Sequence, residues 1–350
     1  MRVGLLGTGA IANKHAQAYR NIGFELIACS NQTESRGRAF ASKWGAEFIP
    51  DYRELCRHPG LDFIDVCTFP NFHLEPVEAC AEIKRPVQVQ KPIATNLGAA
   101  RRMIEIARQA GIPFTVVSQH RFDDSTIFLK RALAAGRLGK LLEADAYVKW
   151  FRADDYYLRP IKGSWLTEGG GALINQAIHQ IDILLYLIGP IRSVCGAWQL
   201  GAAHRIESED IVNALLSYES GATGVVQAST AFWPGHAERI EIHATKGTAI
   251  VSGDRLTSWR VKDDKLVNGA DPAPVQQDLA SGSSDPMAIS LTSFERQFLD
   301  FADSIRKNRP PLASAEDAYR ALQVVLGIYE SCQKHQPVNL LNRGYNRGID

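Results

Sequence analysis

The sequence predicts an α/β protein in two parts: a doubly wound parallel sheet, then an α+β domain on a large, open, mainly antiparallel sheet. Strand-like and helix-like segments alternate through the first 118 residues. Several of those strands are apolar along most of their length (Ile64, Val66, Cys67), as strands covered on both faces are. After Ser118 the alternation gives way to successive strand candidates separated by turn signals. A chain of 350 residues is about two domains long. The boundary falls near residue 120, giving domains 1–120 and 121–350.

In the first part, strands are expected over 3–7, 25–30, 47–49, 63–68, 87–90 and 114–118, with helices over 10–21, 35–44, 74–84 and 97–110. The last helix is well punctuated: Asn96 can cap its start, Gly111 can close its end, and Pro113 lies just beyond. Such alternation implies right-handed crossovers, hence the doubly wound sheet. A helix over 125–135 then leads through Gly136 and Gly139 into a strand over 143–150. An aromatic and charged loop, 151–165, precedes Gly169-Gly170-Gly171 and a long helix. Further strands are expected over 194–199, 211–218, 223–231, 239–244, 248–252 and 256–261, with hairpin turns at 219–221 and 246–247. Residues 269–285, rich in Gly, Pro, Ser and Asp, are expected to form a surface loop, and helices over 291–307 and 315–334 follow. No 20–50-residue period repeats, which excludes a solenoid or propeller.

Composition narrows the partners. Hydrophobic residues make up 45% and charged residues 22%, enough apolar material for a sizeable core. A net charge of +1 gives no general attraction to nucleic acid or an anionic membrane. The richest apolar run, Ile183 to Ile188, stops at Gly189-Pro190, far short of a membrane span. The six scattered cysteines form no CxxC pair and no cluster with His, and no leader precedes the first strand. A cytoplasmic protein with buried thiols and no metal site is the expectation.

Gly7-Thr8-Gly9-Ala10-Ile11-Ala12 closes the first strand and opens a helix, the context in which a GxGxxA turn binds a dinucleotide. Gly7 permits the tight turn, Gly9 lets a pyrophosphate approach the backbone, and Ala12 lets helix pack on strand. First-turn N–H groups and the helix dipole then favour the phosphates. The second strand ends in Ser30-Asn31-Gln32, without the carboxylate that would repel a 2′-phosphate, and Arg36 follows. NADP is therefore favoured over NAD. Val89-Gln90-Lys91-Pro92 ends the fifth strand, at the edge where such sheets bind ligands. On the long helix, Ile174, Ile178, Ile181, Leu185 and Ile188 make an apolar stripe at spacings of 4, 3, 4 and 3. Asn175, His179, Asp182 and Tyr186 make a neighbouring stripe with three polar side chains.

Together these features resemble the Gfo/Idh/MocA (glucose–fructose oxidoreductase, inositol dehydrogenase) family of NAD(P)-dependent oxidoreductases, over essentially the whole chain. The resemblance rests on the glycine motif, Gln90-Lys91-Pro92, His120-Arg121-Phe122, the run from Gly169 to Asp182, and Ser208-Glu209-Asp210. It implies a dinucleotide-binding first domain and a second domain for substrate and for homodimer or homotetramer contacts. It also implies hydride transfer between nicotinamide and a secondary alcohol or ketone of a sugar, inositol or sugar acid. The family's catalytic roles fall on Lys91, Asn175 and His179. Proton transfer to or from the hydroxyl suits an imidazole, and an ammonium would stabilise a developing alkoxide. Thr68, Phe69, Asn71, His73, Gln90 and Lys91 are expected on the nicotinamide side of the cofactor. Arg121, Arg152, Tyr156, Trp165, Asn175 and Asp182 are expected at the substrate.

The sequence departs from the family pattern in three places. Asn175 stands where many members have Asp, Gln90 replaces Glu, and the proline of Thr68-Phe69-Pro70-Asn71 comes one place late. An NAD-dependent glycosidase working by transient oxidation, or a dinucleotide sensor without chemistry, is the alternative.

Overall fold

The computed structural model describes residues 1–159, 161–262 and 290–341. They belong to two compact units, Met1–Gln119 with Ser290–Tyr319, and His120–Ile289 with Arg320–Asp350.

The first unit runs β1 (Arg2–Leu6), α1 (Ala10–Asn21), β2 (Glu25–Ser30), α2 (Glu34–Trp44), β3 (Glu47–Phe48), α3 (Tyr52–Arg57), β4 (Phe63–Val66), α4 (Leu74–Glu82), β5 (Val87–Val89), α5 (Leu97–Ala110) and β6 (Phe114–Val116). Its six strands lie in the order β3-β2-β1-β4-β5-β6, and every pairing is parallel. The chain moves outward one way through β2 and β3, then returns to the other side of β1 with β4. The carboxyl ends of β1 and β4 thus flank the switch point where ligands of such sheets bind. The caps read from the sequence are present on α5. Asn96 Oδ1 accepts from the Ala99 N–H at 2.9 Å, and Gly111 takes a left-handed φ of 67°. Helix α3 was not expected. It is six residues long and set by Asp51, whose carboxylate accepts from the Arg53 N–H at 2.7 Å.

The chain continues with α6 (Asp124–Ala134), β7 (Leu141–Lys149), a π-helical turn (Leu173–Ala177) leading into α7 (Ile178–Ile188), and β8 (Ile191–Leu200). Then come β9 (Glu209–Tyr218), β10 (Thr223–Ser229), β11 (Arg239–Ala244), β12 (Gly247–Ser252), β13 (Arg255–Val261), α8 (Thr292–Lys307), α9 (Ala315–Lys334) and β14 (Val338–Asn339). The second unit's sheet has the order β13-β12-β11-β7-β10-β9-β8-β14. Within this sheet only β7 and β10 pair in parallel among the described strands. Alternation along β9 is clear: Val212, Ala214, Leu216 and Tyr218 are buried, whereas Asn213 and Leu215 face water. Among the described residues, no helix is long and apolar enough to cross a membrane.

The linear division at residue 120 needs one correction: residues 290–319 belong to the first unit. Helix α8 buries Phe294, Phe298 and Phe301, a one-sided stripe at spacings of 4 and 3. Those rings meet the first unit's own aromatics, with Phe298 at 4.5 Å from Tyr19 and Phe301 at 5.3 Å from Phe63, centroid to centroid. The loop expected over 269–285 lies outside the described residues.

Candidate active site

In the first unit, the turn after β1 has the geometry its glycines predict. Gly7 sits at φ 89°, and a Cβ there would come within 2.8 Å of the Cys67 carbonyl oxygen. Its N–H donates to Ser30 O at 2.9 Å, tying the turn to the end of β2. A Cβ on Gly9 would meet nothing within 4 Å, so the space over the start of α1 is open. The hydroxyl of Thr8, between them, is buried with no hydrogen-bond partner among the described residues. A buried hydroxyl without a partner beside an open helix N-terminus fits an anionic phosphate. Gly7, Thr8, Gly9, Ala10 and Ile11 are therefore the residues able to hold a dinucleotide's pyrophosphate. Asn31 follows β2 directly, its Oδ1 accepting from the Thr8 N–H at 3.2 Å and its Nδ2 donating to Thr33 O at 2.9 Å. Arg36 is exposed. Arg38, by contrast, is held by Glu34 at 2.7 Å.

On the other side of the switch point, Thr68 is half-buried, while Phe69 and Asn71 are exposed. Lys91 is half-buried, followed by a cis Lys91–Pro92 peptide. Two expected cofactor contacts turn inward instead. Gln90 is 6% exposed. Its Oε1 accepts from the Lys91 N–H at 2.9 Å, and its Nε2 stands 3.0 Å from His15 Nε2. His73 is fully buried with its ring nitrogens 3.0 Å from Ile93 O and 3.2 Å from Thr68 O. Both ring nitrogens of His73 thus face backbone carbonyls, and each polar atom of the Gln90 side chain already has one partner in the protein. Burial pushes the His73 imidazole down to about 4, so the ring is neutral at physiological pH.

In the second unit, the glycine run has a steric reason. A Cβ on Gly171 would overlap the Glu209 carbonyl oxygen, and one on Gly170 would strike the Tyr329 hydroxyl. Glu209 is fully buried. Its carboxylate accepts from the N–H groups of Gly171 at 2.7 Å and Leu173 at 2.8 Å, and from the Tyr329 hydroxyl at 2.8 Å. It therefore caps the π turn that carries Asn175. Asn175 Nδ2 donates to Gly170 O at 3.1 Å. Asn175 and His179 are both half-buried, and the His179 ring meets His120 edge-on at 5.0 Å. His120 in turn binds Asp123 at 2.8 Å.

The polar stripe does not stay at the surface. Asp182 is buried against Arg121, with Arg121 Nε donating to Oδ2 at 2.8 Å and an Nη2 donating to Oδ1 at 2.5 Å. The guanidinium also lies 4.8 Å over the Tyr186 ring. Both were expected at the substrate; the two-pronged pair instead directs each charge at the other. Arg152 is likewise buried, under the rings of Trp150 and Tyr156. The Tyr156 hydroxyl accepts from Gln176 Nε2 at 3.2 Å, and Trp165 Nε1 donates to Glu207 O at 3.1 Å. Of the residues expected at the substrate, Tyr156, Trp165 and Asn175 keep partly exposed surface.

Two further groups stand in the site regions: the first, Lys162, belongs with the 150–157 loop and Trp165 to the wall expected at the substrate, and only the second escaped the sequence reading. Lys162 pairs with buried Glu168 at 2.5 Å and lies 4.9 Å over the Tyr156 ring. Burial draws its ammonium down, but Tyr156 and Glu168 outweigh that and raise it. The other is a buried polar chain around His15 and Asp65. Its signal was present: a carboxylate inside the apolar strand Phe63-Ile64-Asp65-Val66 must have a buried partner.

A glycine turn shaped for a dinucleotide at the switch point of a parallel sheet defines a nucleotide-dependent enzyme of the Rossmann class. Residues 1–118 match the oxidoreductase family with an NAD-binding Rossmann fold, and residues 127–250 match the GFO/IDH/MocA C-terminal domain. The chain belongs to the Gfo/Idh/MocA family. It is 28% identical to the myo-inositol 2-dehydrogenase of Thermotoga maritima, covering 97% of this chain and 98% of that one. It is 26% identical to the scyllo-inositol 2-dehydrogenase (NAD(+)) of Bacillus subtilis, over 99% and 98%. The structure of the WlbA dehydrogenase from Bordetella pertussis, in complex with NADH and UDP-GlcNAcA, superposes with a TM-score of 0.85 at 25% identity, covering 97% and 98%.

Proposed function

We propose that this chain is an NAD(P)-dependent oxidoreductase. It transfers a hydride between nicotinamide and a secondary alcohol or ketone of a sugar-, inositol- or sugar-acid-like substrate. The observation that carries this is the turn Gly7–Ala12, with its unpartnered Thr8 hydroxyl and the open space over Gly9. The inositol dehydrogenases among the relatives support the substrate class.

The bound nicotinamide supplies the hydride acceptor or donor. Around it, the chain's own residues have separate tasks. The Lys91 ammonium binds the substrate oxygen and stabilises negative charge as the hydroxyl loses its proton. The His179 imidazole takes that proton in oxidation and returns it in reduction. Asn175, an amide, cannot move a proton and serves to orient the substrate hydroxyl. Tyr156 and Trp165 offer ring faces to sugar C–H surfaces.

Absorbance at 340 nm, with both reduced cofactors and a panel of polyols, aldoses, uronates and ketoses, tests the reaction. Net oxidation or reduction is expected. Cofactor that recycles without net change would instead indicate glycoside cleavage by transient oxidation. Lys91→Ala and His179→Ala should each lower turnover about 10²–10⁴-fold, and His179→Ala should leave cofactor affinity within about twofold. Full turnover in both variants would remove these roles.

NADP is the favoured cofactor. Asn31 puts no carboxylate beside the adenosine ribose, and exposed Arg36 is near enough in sequence to pair with a 2′-phosphate. Arg36→Ala should weaken NADPH binding several-fold and leave NADH binding unchanged; equal effects on both would exclude that pairing. The chain is placed in the cytoplasm, where its six free cysteines stay reduced. It assembles as a homodimer or homotetramer through the second unit's sheet.

A further inference from the structure

We propose that His15, neutral and protonated on Nδ1, is a positioning residue for Lys91, acting through Gln90. The inference rests on the role given to Lys91 above and extends it to a buried chain of side chains within the first unit.

The chain starts at Asp65, fully buried in the middle of β4. Its Oδ2 lies 2.7 Å from His15 Nδ1 and accepts from the Tyr19 hydroxyl at 2.7 Å. Its Oδ1 accepts from Gln88 Nε2 at 3.0 Å. The Tyr19 and Gln88 donors and the His15 ring thus converge on the two Asp65 oxygens, the arrangement a carboxylate takes. At the far side of the ring, His15 Nε2 stands 3.0 Å from Gln90 Nε2. The Gln90 amide cannot be turned over, because its Oε1 accepts from the Lys91 N–H. Gln90 must therefore donate to His15, so His15 Nε2 is the acceptor and Nδ1 carries the proton, pointing at Asp65. Every atom from Asp65 to the Lys91 backbone then has one consistent role.

Each group that faces the ring agrees with this state. Asp65 is an anion placed to accept from Nδ1. Cys67 Sγ lies 3.4 Å from Nδ1, and burial raises its thiol, so it carries no charge. The Tyr19 hydroxyl is raised by burial and by Asp65, so it too is neutral. From α8, Phe294 and Phe298 contribute only ring faces, 5.3 and 4.9 Å from the imidazole. His15, Asp65 and Cys67 are residue types that bind metals. Here, however, His15 and Asp65 are directed at each other at hydrogen-bond distance, and the Asp65 oxygen also holds Tyr19.

The departure from Glu to Gln at position 90 acquires a meaning. A carboxylate has no proton to offer the lone pair on His15 Nε2, so a Glu there requires a second proton on the imidazole. Gln90 holds Lys91 in the same way with a neutral ring, two charged groups fewer in the buried chain.

The test compares Gln90→Leu, Gln90→Glu and Lys91→Ala by steady-state kinetics, cofactor titration and ring ¹⁵N NMR of His15. In the unaltered protein the ¹⁵N spectrum should show a neutral ring protonated on Nδ1. Gln90→Leu removes the acceptor for the Lys91 N–H, and kcat should fall at least tenfold with cofactor affinity within about twofold. Gln90→Glu restores the acceptor; kcat should recover to within about threefold, with both His15 nitrogens protonated. A neutral ring protonated on Nε2 in the unaltered protein would overturn the proposal. So would full kcat in Gln90→Leu while Lys91→Ala is inactive, since the chain would then be packing alone. Full turnover in Lys91→Ala would instead remove the role of Lys91 itself, and this inference with it.

Discussion

Among single residues, the buried histidines separate most clearly from the exposed ones. His73 lies against the carbonyls of Thr68 and Ile93, on either side of Lys91 in the chain. A neutral ring has one N–H for two acceptors, and burial holds it neutral down to about pH 4. The unfolded chain takes up that proton near pH 6.5, so unfolding binds protons between 6.5 and 4. Stability from this residue is therefore complete above pH 6.5 and falls as the solution is acidified to 4. The loss is about 3 kcal/mol, at 1.36 kcal/mol per pH unit. Urea unfolding at intervals from pH 7.5 to 4 should show the decline. His73→Asn should show less of it while starting less stable at pH 7.5; an identical slope in the variant would assign the decline to other groups. The sequence placed His73 in the right loop and gave it the wrong neighbour. A histidine in a cofactor loop can face the ligand or the backbone beneath, and residue type does not decide between them.

Among the elements, the turn into α7 shows what a helical pattern can and cannot reveal. The apolar spacings announced a helix after Gly171, and the caps Asn96 and Gly111 located α5 to the residue. That Leu173–Ala177 winds as a π turn was not legible. The turn is held by Glu209 and Tyr329, which bond backbone N–H groups 36 and 155 residues away in sequence. Glu209 is raised to about 7 because burial outweighs the hydrogen bonds it accepts. Its folded value lies above the unfolded one of 4.5, so its contribution to stability is complete below pH 4.5 and is lost as pH rises through 7. The sign is opposite to that of His73. Glu209→Gln removes this titration, yet it sets an NH₂ group against N–H donors already aimed at a carboxylate. Losing an acceptor there costs about 1–3 kcal/mol, and melting should fall by roughly 2–4 °C for each kcal/mol. Turnover should fall with it, since Asn175 rides on that turn. Unchanged melting at pH 6 would show that the Glu209 carboxyl is not the cap.

For the whole molecule, the two sheets and their order of appearance were readable because parallel and antiparallel strands differ in apolar pattern. The membership of α8 was not, since a stripe of Phe294, Phe298 and Phe301 states that one face is buried without stating against what. The same reasoning bears on assembly. Along β9 the inward residues are buried, while Leu215 on the other face is 62% exposed, beside half-buried Val225 and Cys195 on the neighbouring strands. An exposed leucine flanked by Val and Cys on a broad sheet is the kind of surface a second copy covers. If the proposed dimer or tetramer uses this face, Leu215→Glu sets a charge into it on each subunit, and like charges meet across a symmetric interface. Sedimentation at micromolar concentration should then find a multiple of 38.6 kDa for the unaltered chain and a single 38.6 kDa species for the variant. Because Leu215 lies on the outer face of β9, the variant should keep its folded circular-dichroism signal. A single-chain mass for the unaltered protein would dismiss the assembly altogether, and an intact oligomer in the variant would move the interface to another face.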